Sequence, residues 1–176
     1  MKLNSLLLAG SLSALVFFTA CEKDEKAEAD VNEQDRTFAV QASQSNRAEI
    51  ELGNLALAQA SNDSVKYYAQ LMVTEHTQAQ NELKEVADDM DLNVNLDQPL
   101  GAEFTAIQQS LAGLSGAAFD SIYMKSQVVS HQTTLANFQT EINSGGSANV
   151  KAYANKYLPH IQTHLDMANR IHTQVK

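Results

Sequence analysis

A single cysteine, Cys21, is all the thiol this chain has, so no disulfide can form within it. Its stability must come from a packed core. There is no tryptophan, and the only prolines are Pro99 and Pro159. With so few helix breakers, long uninterrupted helices are permitted. Positive charge is also scarce: 12 Lys and Arg face 21 Asp and Glu, a net charge of −9. No basic stripe is available to neutralise phosphates, which argues against a nucleic-acid partner. Neither a Gly-x-Ser-x-Gly elbow nor a phosphate-cradling glycine loop occurs, so nothing supports nucleophilic hydrolysis or nucleotide chemistry.

The N-terminus has a different composition from the rest. Lys2 precedes an apolar run, Leu6 to Phe18, too short to span a bilayer as a mature helix. Ala20 is the small residue that signal-peptide cleavage needs. Phe18-Thr19-Ala20-Cys21 resembles the lipobox of bacterial lipoproteins, with Phe18 where Leu is usual. The expectation is a signal peptide over residues 1–20 and a lipidated Cys21 as the first residue of the mature chain. Its acyl chains would anchor the protein to the membrane without spanning it. Glu22 to Asp30 is charged, lacks any side chain that could be buried, and reads with its neighbours as an acidic tether over residues 21–32. Cys21-Glu22-Lys23-Asp24-Glu25 also resembles a charged export signal of Gram-negative lipoproteins. The expected location is therefore the cell envelope, at the outer membrane on its periplasmic or exposed face.

Residues 33–176 are expected to form one all-α domain. Apolar positions recur at steps of three and four in four long segments, about 33–60, 63–90, 117–143 and 149–174, with a short helix about 102–111 between the second and third. Short polar turns join the first pair and the last pair, and a longer connection links the two pairs. That order predicts a four-helix bundle of ferritin-like type, with one crossover carrying the short extra helix. Pro159 is expected to bend the last helix.

Each long segment carries one residue of metal-ligand type on its apolar seam: Glu49, His76, His131 and His164. At 1.5 Å per residue, Glu49 and His76 lie at similar depth from their shared turn. His160 matches His131 in depth better than His164 does, but lies off the seam, and is kept as an alternate. Glu75 is a candidate acceptor that holds an imidazole tautomer. Such a set would suit a single zinc, iron, copper or manganese ion. It could equally be a buried polar cluster, with Glu49 accepting from the histidines and the group setting helix register. The carboxylate-bridged di-iron pattern does not match, because Val73, Val128 and Ile161 stand three residues before His76, His131 and His164, where that pattern needs Glu.

Ala48-Glu49-Ile50-Glu51-Leu52-Gly53 and Tyr68 to His76 resemble a family of exported bacterial proteins. So do Gly116 to Asp120 with Tyr123 and His131, and Leu158-Pro159 with His164-Leu165. The family is catalogued as a domain of unknown function and often labelled a predicted outer-membrane protein. The resemblance implies a ferritin-like bundle whose inward polar positions fall on Glu49, His76, His131 and His164. His160 lies outside the pattern, and Glu75 stands where the family usually has Asp. It implies no activity. The expected function is a lipid-anchored envelope protein, not an enzyme. Its helices would bind an unidentified protein partner or one metal ion, in stress tolerance or metal handling. The alternatives are a metal-dependent oxidoreductase acting on a small oxidant and a purely structural envelope adaptor.

Overall fold

A computed structural model describes residues 31–176; the signal segment, Cys21 and nearly all of the tether lie outside the described residues. Among the described residues there are five α-helices and no strand: α1 (Glu33–Gln59), α2 (Asp63–Asp89), α3 (Ala102–Leu111), α4 (Gly116–Ser144) and α5 (Ala148–Gln174). None of these helices is long and apolar enough to cross a membrane.

The helix starts follow from local chemistry. Asn32 caps α1 in a reciprocal box, accepting from the Asp35 N–H while Asp35 accepts from the Asn32 N–H. Asn62 caps α2 and Ser147 caps α5, each accepting a backbone N–H of the first turn. Each of these last two caps ends a three-residue link, Ala60 to Asn62 or Gly145 to Ser147, so the flanking helices run antiparallel. In the loop after α2, Asp91 and Asn93 adopt left-handed backbone with φ of 47° and 52°. Asn and Asp tolerate that region better than other side chains.

α1 packs on α2 and α4, and α5 packs on α4 and α2, which closes the four long helices into a ring. The loop leaving α2 climbs along α1. Arg36 donates to the Leu92 carbonyl, Ser43 to Leu96, Gln44 to Pro99, and Arg47 to Leu96 and Gln98. α3 then delivers the chain to the opposite end, where α4 begins beside the α1–α2 turn. α1 approaches α2 closely at Gly53. A Cβ there would lie 2.8 Å from Val73 Cγ2 and 3.0 Å from the Ala69 carbonyl oxygen.

A shift of 85 residues carries Asp63, which opens α2, onto Ala148, which opens α5; both helices have 27 residues. The same shift maps contacts reciprocally. Asp35 on α1 accepts from the Gly146 and Ser147 N–H groups of the α4–α5 turn. Its equivalent, Asp120 on α4, accepts from the Ser61 and Asn62 N–H groups of the α1–α2 turn. The two hairpins are thus related by an approximate twofold.

Each end of the ring has its own apolar cluster. One is built on Phe38, Leu83, Phe138, Val150, Tyr153 and Tyr157. The other is built on Val65, Tyr68, Met72, Phe119, Tyr123 and Met124. Phe38 and Tyr123, Val150 and Val65, and Tyr153 and Tyr68 are equivalent pairs. The polar site lies between the clusters.

Candidate metal centre

Three of the four seam residues meet. One ring nitrogen from each of His76, His131 and His164 lies within 4.8 Å of the others, and all three side chains are buried. The ring centroids form a near-equilateral triangle: 6.0 Å for His76–His131 and 5.5 Å for both His76–His164 and His131–His164. His164 reaches its partners although its Cα stands further from the α4–α5 turn than that of His131. Side chains lean toward their helix N-terminus, so on antiparallel helices the His164 and His131 rings tilt toward each other. His160 lies away from this triangle and is half exposed.

The outer nitrogens are all committed. His131 Nδ1 lies 3.0 Å from the Gln127 carbonyl oxygen, one turn back on α4. A carbonyl only accepts, so Nδ1 carries the proton and Nε2 points inward as a lone pair. His164 Nε2 lies 3.1 Å from Glu75 Oε2. A carboxylate there leaves Nδ1 as the inward lone pair.

His76 Nδ1 lies 2.9 Å from Asn46 Oδ1, and here the neighbours set the amide's orientation. The Tyr153 hydroxyl donates to the Ala79 carbonyl and so accepts from Asn46 Nδ2. That presents the Asn46 oxygen to His76. The same polarity runs on to the crossover loop: Asn46 Nδ2 to Gln80 Oε1, Gln80 Nε2 to Ser43 Oγ, and Ser43 Oγ to the Leu96 carbonyl.

His76 Nε2, His131 Nε2 and His164 Nδ1 are therefore the inward atoms, and none has a hydrogen-bond partner. The imidazoles are held neutral. Burial pushes His131 down to about 3, with the His164 ring adding to the shift. Burial also holds His76 well below the usual histidine range, helped by the other two rings. His164 is lowered by burial against the opposing pull of Glu75. Three neutral imidazoles with facing lone pairs are metal-accepting and mutually repulsive.

Glu49 is buried but stands outside the triangle. Its Oε1 lies 3.9 Å from His131 Nδ1, the outer nitrogen, and neither carboxylate oxygen has a hydrogen-bond partner. Burial raises its pKa to about 7. None of the histidines donates to it, so the expected cluster in which Glu49 accepts from the rings is not the arrangement seen. Glu75 does hold a tautomer, but that of His164 on α5, while its neighbour His76 is held by Asn46.

The family model described as a domain of unknown function, DUF4142, matches residues 20–171. This chain belongs to that family. No curated protein and no solved structure matches it.

The residues of this DUF4142 domain that sequence reasoning passed over are Asn46, Gln80, Tyr153 and the Gln127 carbonyl. A signal for two of them was present. Asn46 and Gln80 stand three and four residues from Glu49 and His76 on the same helix, where a side chain shares the buried face. The Gln127 group is a main-chain carbonyl, which residue type does not mark.

Proposed function

We propose that this is a metal-binding protein of the cell envelope, a ferritin-like four-helix bundle anchored through a lipidated Cys21. It holds one transition-metal ion between His76, His131 and His164. The observation that carries this reading is the set of three buried, unpartnered ring nitrogens whose opposite nitrogens are all locked to acceptors. A polar cluster that merely set register would place donors against acceptors in its middle, because a buried polar atom left unpaired costs about 1–3 kcal/mol. Here three acceptors face one another, and a cation is the partner that satisfies all three.

Nitrogens bound at about 2.1 Å around one tetrahedral ion stand roughly 3.4 Å apart, so the observed triangle is a slightly open form of such a site. Three imidazoles with neither thiolate nor ligating carboxylate suit zinc, copper or iron and suit manganese least. Glu49 lies in the shell outside the ligands, where its charge would offset that of the ion. The adjoining cavity, lined by Asn46, Glu75, His76, Tyr157, His160 and His164, has a volume of about 10 Å³. That is room for about one water molecule. An organic substrate does not fit beside the ion, which favours metal holding and handling over transformation of an organic molecule.

The test is elemental analysis of full-length protein purified in detergent without chelator, then reloaded with Zn²⁺, Cu²⁺ or Fe²⁺. Wild type is expected to hold stoichiometric metal, and His131→Ala to hold none while keeping its helical circular dichroism. Wild type that stays metal-free under all three loadings refutes the site. The anchor is checked separately, by moving Cys21→Ser from the membrane fraction to the soluble fraction; a variant that stays with the membrane refutes lipidation.

A further inference from the structure

Resting on that three-histidine reading, the geometry points to a second, outer cation station: Glu75 and His160 form a port that captures a divalent transition-metal ion and passes it to the buried site. The three site histidines are held differently. His131 is tied to its own α4 backbone, and His76 to Asn46 in the interior. Only His164 is tied to a group that solvent reaches. Glu75 Oε2 accepts from His164 Nε2 at 3.1 Å and from His160 Nδ1 at 3.0 Å, with Glu75 31% exposed and His160 52% exposed.

One carboxylate oxygen thus bridges an exposed imidazole and a buried one. A hydrated cation arriving at the surface would meet a carboxylate and an imidazole, a ligand pair that displaces two waters. Its next ligand inward is His164. The small cavity on the α2–α5 face reaches from Glu75 and His160 to His76 and His164, so the outer and inner groups share one passage.

The flanks of this passage are defined. Tyr157 donates to Glu82 Oε2 at 2.8 Å, which holds its ring against α2. The His160 ring lies 5.8 Å from it. Pro159 immediately precedes His160 and deprives α5 of one main-chain hydrogen bond, which loosens the helix turn that must yield for an ion to pass. Glu75 and His160 are also equivalent positions in the two hairpins. The port therefore opens where the approximate twofold axis leaves the protein between α2 and α5.

A port has a kinetic signature that a structural support lacks. A group that touches the ion only in transit changes association and dissociation in the same proportion and leaves the equilibrium constant alone. The experiment uses full-length protein in detergent, stripped with chelator and mixed with Co²⁺, whose visible absorption reports nitrogen coordination. His160→Ala is expected to load about tenfold more slowly than wild type, a rise of about 1.4 kcal/mol in the capture barrier from the loss of one of the two outer ligands. Release to excess chelator should slow by the same factor, with Kd unchanged within about threefold. His160→Asp, which puts a carboxylate ligand in place of the imidazole, should recover most of the rate.

His160→Ala loading at the wild-type rate overturns the port while leaving the inner site standing. A weakened Kd with unchanged association also overturns it, because His160 would then act only by propping Glu75 against His164. Wild type that takes up no Co²⁺ overturns the inner site and the port together.

Discussion

The two hairpins share a framework and differ in what they carry at its centre. α1–α2 and α4–α5 have the same three-residue link, the same capped second helix, and an aspartate near the start of the first helix that grips the opposite turn. At mid-length they part company. His131 is equivalent to Asn46, His164 to Ala79, His76 to Ile161 and Glu49 to Thr134. The repeated positions are those that fold the molecule. The unrepeated ones converge on the candidate metal centre, where a symmetric arrangement would have placed two copies of everything. The asymmetry brings three buried ring nitrogens together, one histidine from the first hairpin and two from the second.

The sharpest way to break this comparison is through the two aspartate staples. Asp120 accepts from the Ser61 N–H, the Ser61 hydroxyl and the Asn62 N–H. Asp120→Ala strips the partners from a buried turn and is expected to cost about 2–4 kcal/mol in urea unfolding of metal-free protein, since hydrogen bonds to a charged group contribute about 1.5–3 kcal/mol. At pH 8, Asp35→Ala removes the matching staple but is expected to cost about 1 kcal/mol less. The reason is local. Asp35 has Glu141 beside it, whereas the position equivalent to Glu141 is Ala56, so above about pH 7, where both carboxyls are ionised, removing Asp35 also relieves their repulsion. Equal losses would mean that Glu141 places no load on the pair.

How much of this was readable beforehand differs by element. The helix ends were legible to within a residue or so, because the links between periodic segments are short and polar and the apolar periodicity stops at them. His76, His131 and His164 were legible as polar intrusions on apolar seams. Depth arithmetic alone left His160 in contention, because counting Cα levels ignores the direction in which side chains lean. The role of Glu49 was not legible: whether a seam carboxylate points at a ring's inner or outer nitrogen depends on a helix rotation that spacing does not encode. The twofold relation stayed hidden because the equivalent positions hold different residues of similar bulk, Phe38 with Tyr123 and Met72 with Tyr157. Packing preserves volume there, while sequence comparison scores identity.

A smaller and subtler difference between the staples appears with pH. Burial pushes Asp35 upward, but the Asn32 and Ser147 N–H groups, the Glu141 side chain and the Gly146 N–H outweigh it, and its pKa is lowered. Glu141 moves the other way, to about 7, because of burial and then the Asp35 charge beside it. Between the two pKa values, below about 7 and above that of Asp35, the pair therefore holds one proton, on Glu141. The sign follows from linkage: a carboxyl whose folded pKa is raised binds more protons folded than unfolded, so its contribution is greatest below about 4.5 and is lost as pH rises through about 7. Glu141→Gln keeps a neutral side chain at every pH. Compared with wild type, the variant should be equally stable near pH 4 and more stable by on the order of 1–3 kcal/mol at pH 8, with the gap opening between those limits. The difference curve is the useful readout, since the buried histidines and Glu49 titrate alike in both proteins and cancel. A flat difference would place the Glu141 proton elsewhere and make the two ends of the molecule alike in charge as well as in shape.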